Sequence, residues 1–409
     1  MLEKFIKQGK KNGKFNYQLE SNVMKILWRI LKGLAIIIVG IVVLAYVFKV
    51  DYLFTAVRTI YFNGHKTAFL DDYHYFPTRE VPAGNAQPWP VAKDYNSVAA
   101  TEVLASTHKD LQTIAFLIIK NDSIWHESYY DGYTANSKTN SFSMAKSVVS
   151  AALGKALQRG EIKSLEDKVI QYLPELKGKY KDEVTVGDLS SMASGLDWDE
   201  GYYSPFSVVT QAYFDKDLRA VMLGLDIKDQ PGKEFIYKSG DTQLLAMVLE
   251  KATGQTLSAY VSEYFWKPMG AENDALWQID HKGDGIEKSY CCFTSGARDF
   301  ARFGKLYKDF GKWRGEQLLD STFVAKSIVP RFEASPEYGY GWWLKKYKGQ
   351  DFFYMRGHLG QFTIVSPKDN VIIVRLGHIK GLQTEEDPHS NDLYTYIDEA
   401  YAMLAQRKK

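Results

Sequence analysis

The sequence predicts an α/β fold of the α+β kind, in which one antiparallel sheet is flanked by helices and preceded by one transmembrane helix. Two pairs of short apolar segments, each pair separated by turn residues, lie near opposite ends of the chain and indicate two hairpins. The sequence between them has mostly helical periodicity, which indicates a helical insertion. An uncharged apolar segment near the N-terminus completes the pattern.

The apolar segment at residues 33–48 carries no charge and reaches bilayer length when it is extended to residues 30–50. Eight Lys and Arg stand against two Glu in residues 1–32, so the positive-inside rule predicts a basic cytoplasmic tail over residues 1–29. A cleaved signal peptide, a lipoprotein anchor and a buried helix are the alternatives. The segment lacks a small-residue cleavage site and a Cys. We therefore expect an uncleaved signal anchor in the lipid bilayer.

This topology places everything after residue 50 outside the cytoplasm, in the periplasm if an outer membrane is present. Residues 51–92 are expected to be a juxtamembrane and Pro-rich connector, because four prolines fall within residues 76–91. The folded domain is then expected to occupy residues 93–409. Its predicted strands are residues 113–119, 123–130, 361–365 and 371–376, and its predicted terminal helices are residues 98–111 and 391–407.

Composition limits the function. The formal net charge of +2 argues against nucleic acid as a partner. The two cysteines, Cys291 and Cys292, are adjacent, so they allow no disulfide framework and lack metal-ligand spacing. We expect two small buried side chains there, with a disulfide ring between neighbours as the alternative. No metal or organic cofactor is expected.

Ser143 is the candidate nucleophile, because Ser143-Met144-Ala145-Lys146 opens a long run of helical periodicity. Residues three apart share one face of a helix, so Lys146 can reach the Ser143 hydroxyl. A buried, neutral lysine can take the proton of that hydroxyl and activate it for attack. Ser106 also fits the S-x-x-K pattern, but it falls late in a predicted helix rather than at a helix start.

Two further elements follow along the chain. Tyr237 precedes a helix predicted from about Thr242 to a C-cap at Gly254, a constrained position from which a phenol can pass a proton. His358-Leu359-Gly360 precedes a predicted strand, where a glycine lets substrate approach the backbone closely. The amide of Gln361 is then expected to pair with that of Ser143 as an oxyanion hole.

In this order, the three elements resemble the serine β-lactamase and penicillin-binding-protein superfamily, whose signatures are S-x-x-K, S-D-N and K-T-G. Tyr237-Lys238-Ser239 stands where S-D-N would be, and His358-Leu359-Gly360 stands where K-T-G would be. That combination resembles the class C-like serine hydrolases, including 6-aminohexanoate-dimer hydrolases and family VIII esterases. The resemblance covers about residues 70–405. It implies a β-lactamase/transpeptidase-like fold with a helical subdomain.

The resemblance also implies roles for the site residues. Ser143 would be the nucleophile, Lys146 its base partner and Tyr237 the proton shuttle, with Ser239 supporting Tyr237 or the substrate. The K-T-G lysine, which commonly meets a substrate carboxylate, is missing here, so Arg356 or His358 would take its place. The expected substrate-binding residues are Ser239, His358, Gly360, Arg356 and Trp343, with Trp198 and Tyr203 as further pocket candidates.

The function expected from these residues is hydrolysis of a small-molecule ester, amide or peptide through an acyl-enzyme on Ser143. One alternative keeps the fold and makes the chain a β-lactamase or a D-Ala-D-Ala carboxypeptidase-like enzyme acting on cell-wall peptides. The other is a non-catalytic, membrane-tethered binding module.

Overall fold

The computed structural model describes the backbone of residues 1–407 and the side chains of these residues except 3–21. It divides into two compact units, Met1–Thr55 and Ala56–Lys409. The helices are α1 (Leu2–Val47), α2 (Tyr52–Thr59), α3 (Glu102–Asp110), α4 (Ala145–Arg159), α5 (Val186–Ser190), α6 (Val208–Phe214), α7 (Leu218–Leu223), α8 (Ser239–Thr253), α9 (Leu257–Val261), α10 (Ala297–Lys308), α11 (Ser321–Ser327) and α12 (Asn391–Ala405). The strands are β1 (Thr78–Val81), β2 (Thr113–Lys120), β3 (Ser123–Tyr129), β4 (Thr139–Asn140), β5 (Ala275–Gln278), β6 (Phe293–Ser295), β7 (Lys312–Trp313), β8 (Glu316–Gln317), β9 (Trp343–Tyr347), β10 (Gln350–Gly357), β11 (Gln361–Ser366) and β12 (Val371–Gly377).

The first unit contains a helix that is long and apolar enough to cross a membrane. Within α1, Asn22–Val47 meets that criterion, and its most apolar window is 0% buried. A signal sequence near the N-terminus meets the same criterion of length and composition. The helix ends at Val47 rather than at the expected residue 50, because Lys49 turns the chain with φ 55°.

The main sheet is antiparallel and has the order β3-β2-β12-β11-β10-β9. Both predicted hairpins are confirmed, and β2 from the first lies beside β12 from the second, with Ile118 opposite Ile373. Distant parts of the chain therefore build one sheet, as expected. A smaller sheet, β1-β5-β6-β4, was not predicted from the sequence.

Helices cover both faces of the main sheet. On one face, α3 and α12 bury Leu104 and Ile397 against sheet residues such as Phe116. On the other face, Gly304 of α10 lies so close to Thr363 that a Cβ there would be 3.0 Å from the threonine methyl group. Burying each large apolar side chain contributes about 1.5–3 kcal/mol, so a sheet buried on both faces is a rigid support.

The segment expected to be a connector is part of the second unit, which begins at Ala56 rather than near residue 93. Strand β1 pairs with β5, and Leu70 is fully buried. Pro77 and Pro82 flank β1 and do not interrupt its hydrogen bonding, which is why a Pro-rich segment can still contain a strand.

Two helices carry the predicted catalytic motifs. Helix α4 is buried from Ala145 to Ala156 and ends at Gly160, whose φ of 73° suits glycine. Helix α8 ends at the predicted C-cap, Gly254, but begins at Ser239 rather than at Thr242.

The adjacent cysteines form a disulfide, so the expectation of two separate small side chains was wrong. The chain turns sharply at this point, since the Cys291 N–H donates to the Lys288 carbonyl and Cys292 has φ 70°. The turn lies between β5 and β6 and follows Tyr290, a residue that contacts the predicted site.

Candidate active site

Ser143 lies in a 3-10 turn, Phe142–Met144, that leads directly into α4. The preceding residue, Phe142, has φ 47°, a left-handed conformation that costs a non-glycine residue roughly 1–2 kcal/mol. The side-chain oxygen of Asn140 accepts the Phe142 N–H at 2.8 Å and holds this turn. The strained turn places Ser143 at the start of a buried helix, as the sequence predicted.

Lys146 is buried, and three oxygen atoms surround its side-chain nitrogen. Its Nζ lies 2.9 Å from Ser143 Oγ, 3.0 Å from Ser239 Oγ and 2.8 Å from the Tyr290 carbonyl oxygen. Burial lowers the pKa of Lys146 to about 7, against the opposing charges of Glu200 and Asp241. A substantial fraction of Lys146 is therefore neutral near pH 7.

Glu200 is a site residue that the sequence analysis missed. Its carboxylate accepts hydrogen bonds from both the hydroxyl and the backbone N–H of Ser239, the latter at 2.9 Å. It also accepts from Trp198 Nε1 and the Tyr202 hydroxyl. Glu200 lies in a loop without periodicity or motif, so no sequence signal singled it out.

The Ser239–Glu200 bond fixes how neutral Lys146 is oriented. The single hydroxyl hydrogen of Ser239 is donated to Glu200, so Ser239 Oγ can only accept from Lys146. The Tyr290 carbonyl can also only accept. A neutral amine has two hydrogens and one lone pair; with both hydrogens engaged, the lone pair faces the Ser143 hydroxyl.

Tyr237 also meets the nucleophile. Its ring centroid lies 5.0 Å from Lys146 Nζ, and an interaction of its hydroxyl with Ser143 acts to lower the pKa of the phenol. Burial of the phenol, assisted by the negative charge of Glu200, raises the pKa of Tyr237 well above its usual range. Tyr237 is therefore a phenol at neutral pH, which favours donating a proton over acting as a phenolate base.

The edge of the sheet approaches the chain just before Ser143 at Gly357 rather than at Gly360. Strand β10 extends past its pairing with β9, and a Cβ on Gly357 would lie 2.3 Å from the Ser141 carbonyl oxygen. Gly360 instead lies against Arg375: a Cβ on Gly360 would be 2.5 Å from Arg375 Nη1. The structure places Gly360 at the end of the turn His358–Gly360 between β10 and β11, against Arg375.

Gln361 likewise lies away from the expected oxyanion position. It is fully buried at the start of β11, which has β10 on one side and β12 on the other. Its side chain hydrogen-bonds with the N–H and carbonyl of Gly377. Its amide is therefore inside the sheet, and Gly357 is its neighbour across the strand pair.

His358 follows Gly357 and is surrounded by aromatic rings. Its ring lies edge-on to Phe142 at 5.5 Å, stacks on Tyr202 at 5.4 Å and is tilted against Tyr203 at 6.5 Å. Burial lowers the pKa of His358 to about 4, and its Nε2 has no hydrogen-bond partner among the described residues. Tyr203 is 75% exposed, so this aromatic group opens to solvent.

Arg356, Trp343 and Trp198 contact one another or the side chains of the site. Arg356 donates to the Pro388 carbonyl and the Gln383 side chain, each at 2.6 Å, and its guanidinium lies over Trp343. Trp343 is 9% exposed and contacts the Tyr237 ring at 5.3 Å. Trp198 is held by Glu200. Trp343 thus packs against Tyr237, and Trp198 hydrogen-bonds with Glu200.

Comparisons with known proteins agree with this architecture. The family described as Beta-lactamase matches residues 98–394. A curated relative, the 6-aminohexanoate-dimer hydrolase of Paenarthrobacter ureafaciens, is 27% identical over 269 residues, covering 62% of this chain and 66% of that protein. The chain therefore spans just under two thirds of the length of this relative.

Solved structures show the same fold. One, from Bacillus anthracis and provisionally named a 6-aminohexanoate-dimer hydrolase, has a TM-score of 0.69 at 23% identity, covering 81% of this chain and 90% of that one. A penicillin-binding protein from Bacillus halodurans has a TM-score of 0.58 at 16% identity, covering 74% and 99%. The chain belongs to the Beta-lactamase family and has its mixed α/β hydrolase fold.

Proposed function

We propose that this protein is a serine hydrolase that cleaves a neutral ester or amide through an acyl-enzyme on Ser143. The observation that carries the proposal is the contact of 2.9 Å between Ser143 Oγ and the buried Lys146 Nζ. A serine hydroxyl is a weak nucleophile until a neighbouring base takes its proton. Burial keeps part of Lys146 neutral, so it can be that base.

In the first step, Ser143 Oγ attacks the carbonyl carbon while its proton moves to the lone pair of Lys146. The tetrahedral intermediate then expels the alcohol or amine, which takes a proton from the Tyr237 hydroxyl; Lys146 returns its proton to Tyr237. The raised pKa of Tyr237 keeps it protonated and ready to donate. Water later attacks the acyl-enzyme by the reverse sequence, releasing the acid and free Ser143.

The negative oxygen of the intermediate needs backbone donors. The N–H of Ser143 is at the start of α4, where helix N–H groups favour negative charge. We assign the second donor to the N–H of His358 rather than of Gln361, because His358 directly follows the Gly357 edge that lies against Ser141. Gln361 lies inside the sheet.

The charges around the site favour a substrate without a carboxylate. His358 follows the Gly357 edge, and its lowered pKa of about 4 keeps it neutral. Arg356 is already engaged by Pro388 and Gln383. The neighbouring Tyr202 and Tyr203 rings offer an apolar surface instead. This favours a neutral ester or amide over a β-lactam or a cell-wall peptide ending in a carboxylate.

We also propose that α1 anchors the enzyme in the cell membrane as a single span. The support is the exposed, apolar stretch Asn22–Val47 together with the basic residues before it. The N-terminus would be cytoplasmic and the second unit extracytoplasmic. Carbonate extraction of membranes tests this: an anchored protein stays in the pellet at full length, whereas a cleaved signal yields a shorter, soluble protein.

The catalytic proposal is tested by p-nitrophenyl ester hydrolysis with full-length protein in detergent. Ser143→Ala should lower kcat/KM by at least ~10³-fold, and Tyr237→Phe by ~10²–10⁴-fold. Ser106→Ala is the matched control, because Ser106 begins the other S-x-x-K sequence but lies exposed in α3. Equal hydrolysis by wild type and a folded Ser143→Ala variant would contradict the proposal. Labelling of Ser143 by a fluorescent penicillin without ester turnover would favour the cell-wall alternative.

A further inference from the structure

Asp72 is a fully buried carboxylate in the segment that precedes the family-matched region. It receives hydrogen bonds from three donors that come from three other parts of the chain. Asn140 Nδ2 donates at 3.1 Å, Gln278 Nε2 at 2.9 Å and the Tyr213 hydroxyl at 2.5 Å. Such a cluster lies outside every motif in the sequence and has no direct contact with Ser143.

Asn140 links this cluster to the nucleophile. Its Oδ1 accepts the N–H of Phe142 at 2.8 Å, which is the left-handed residue just before Ser143. The same oxygen accepts the N–H of Cys292 at 3.1 Å, two residues after Tyr290, whose carbonyl holds Lys146. One side-chain oxygen therefore joins the turn carrying the nucleophile to the turn carrying the partner of its base.

The direction of the Asn140 amide depends on Asp72. An amide has a donating and an accepting end, whereas an ionised carboxylate can only accept. Asp72 therefore selects the orientation in which Nδ2 faces it and Oδ1 faces Phe142 and Cys292. The opposite orientation would set an amide N–H against the Phe142 N–H and leave both donors unpaired, which costs about 1–3 kcal/mol for a buried group.

The buried carboxylate of Asp72 interacts with a buried lysine, Lys288. Lys288 is 1% exposed, donates to the Tyr213 carbonyl and lies 3.7 Å from the centroid of the Phe76 ring. Burial raises the pKa of Asp72 to about 6, and the charge of Lys288 opposes that rise; burial lowers the pKa of Lys288 to about 7, and the charge of Asp72 opposes that fall. A buried carboxylate with paired donors and a nearby cation can be retained in the folded protein.

We propose that Asp72 is a positioning residue for the hydrolase: through Asn140 it holds the Phe142 turn and the Cys292 turn so that Ser143 and Lys146 face each other. The inference rests on the proposed function and adds to it a residue from outside the family-matched region. Asp72 does not touch substrate, so its removal should lower the rate of acylation rather than the affinity for substrate.

The test uses full-length protein in detergent with the variants Asp72→Asn, Asn140→Ala and the double variant. Asp72→Asn should lower kcat at least tenfold with KM within twofold. Because Asp72 acts through Asn140, the double variant should be no slower than Asn140→Ala alone. Asp71→Asn is the matched control, since Asp71 is the adjacent carboxylate and binds Tyr133 instead. Wild-type kcat in folded Asp72→Asn, or losses that multiply in the double variant, would overturn the proposal.

Hydrogen–deuterium exchange separates this proposal from the proposed function, because it needs no turnover. Exchange in a peptide covering residues 140–147 should become faster in Asp72→Asn and stay unchanged in Asp71→Asn. Unchanged exchange in Asp72→Asn would overturn the positioning role even if the enzyme is active. If Asp72→Asn does not fold, Tyr213→Phe replaces it, since the Tyr213 hydroxyl contacts both Asp72 and Asn140. Unchanged kcat and exchange in that variant would also contradict the proposal.

Discussion

The protonation of Lys146 should set the acidic limit of activity. The pKa of Lys146 is lowered to about 7, and only the neutral amine can take the proton of Ser143. At pH 7 about half of the lysine is then neutral, whereas an ordinary lysine with a pKa of ~10.4 would be neutral to less than ~0.1%. Burial therefore increases the active fraction by roughly 10³-fold. Below pH 7, kcat/KM should fall about tenfold per pH unit.

Substitution of Glu200 tests whether Lys146 sets the acidic limit of activity. Its negative charge raises the pKa of Lys146, against the larger lowering effect of burial. Removing the charge in Glu200→Gln should therefore lower the pKa of Lys146 further and move the acidic limb of the pH profile to lower pH. The maximal rate should also fall, because Ser239 loses its charged acceptor.

The assay is kcat/KM against pH from about 5 to 9 with a neutral p-nitrophenyl ester, read at a wavelength where the two forms of p-nitrophenol absorb equally. Asp199→Asn is the matched control, because Asp199 is the neighbouring exposed carboxylate and accepts the nearby Gly201 N–H. A profile that is flat between pH 6 and 8, or an acidic limb that stays in place in Glu200→Gln, would refute the reasoning.

Three other predictions follow from the geometry. Gly357→Ala should lower kcat/KM more than tenfold, because its Cβ would lie 2.3 Å from the Ser141 carbonyl oxygen. The control, Gly349→Ala, has φ 76° and open space around it, so it should cost about 1 kcal/mol of stability and leave the kinetics unchanged. Equal kinetics for the two variants would contradict the assignment of Gly357 to the edge of the site. His358→Lys should increase kcat/KM for an ester with an anionic acyl group relative to a neutral one, because it places a cation where His358 is neutral. An unchanged ratio would contradict the proposed preference for neutral substrates. Iodoacetamide should not modify Cys291 or Cys292 in denatured, unreduced protein and should modify both after reduction; modification before reduction would contradict the disulfide.

Much of the site could be predicted from the sequence where local periodicity fixes geometry. The helical spacing after Ser143 put Lys146 on the same face of a helix one turn later, and the structure has that contact. Gly254 marked the end of α8, and the helix begins at Ser239, two residues after Tyr237, rather than at the predicted Thr242. In both places the chemistry depends on neighbours in sequence, which a pattern can report.

The rest depended on contacts between distant segments. Glu200 and Asp72 lie in loops and turns without periodicity, and their partners are 39 and 68 residues away. The sheet edge shows the same limitation: the H-x-G pattern pointed to Gly360, but the place where β10 extends past β9 selects Gly357. Hydrogen-bond register across a sheet is not visible in one strand alone.

Covalent labelling tests the central claim most directly. Full-length protein is treated with a fluorophosphonate, digested and mapped by mass spectrometry, with Ser143→Ala and Ser106→Ala treated in parallel. The account predicts one adduct, on the peptide containing Ser143, that is lost in Ser143→Ala and retained in Ser106→Ala. An adduct on a different serine, or the absence of any adduct from a folded wild-type protein, would contradict it.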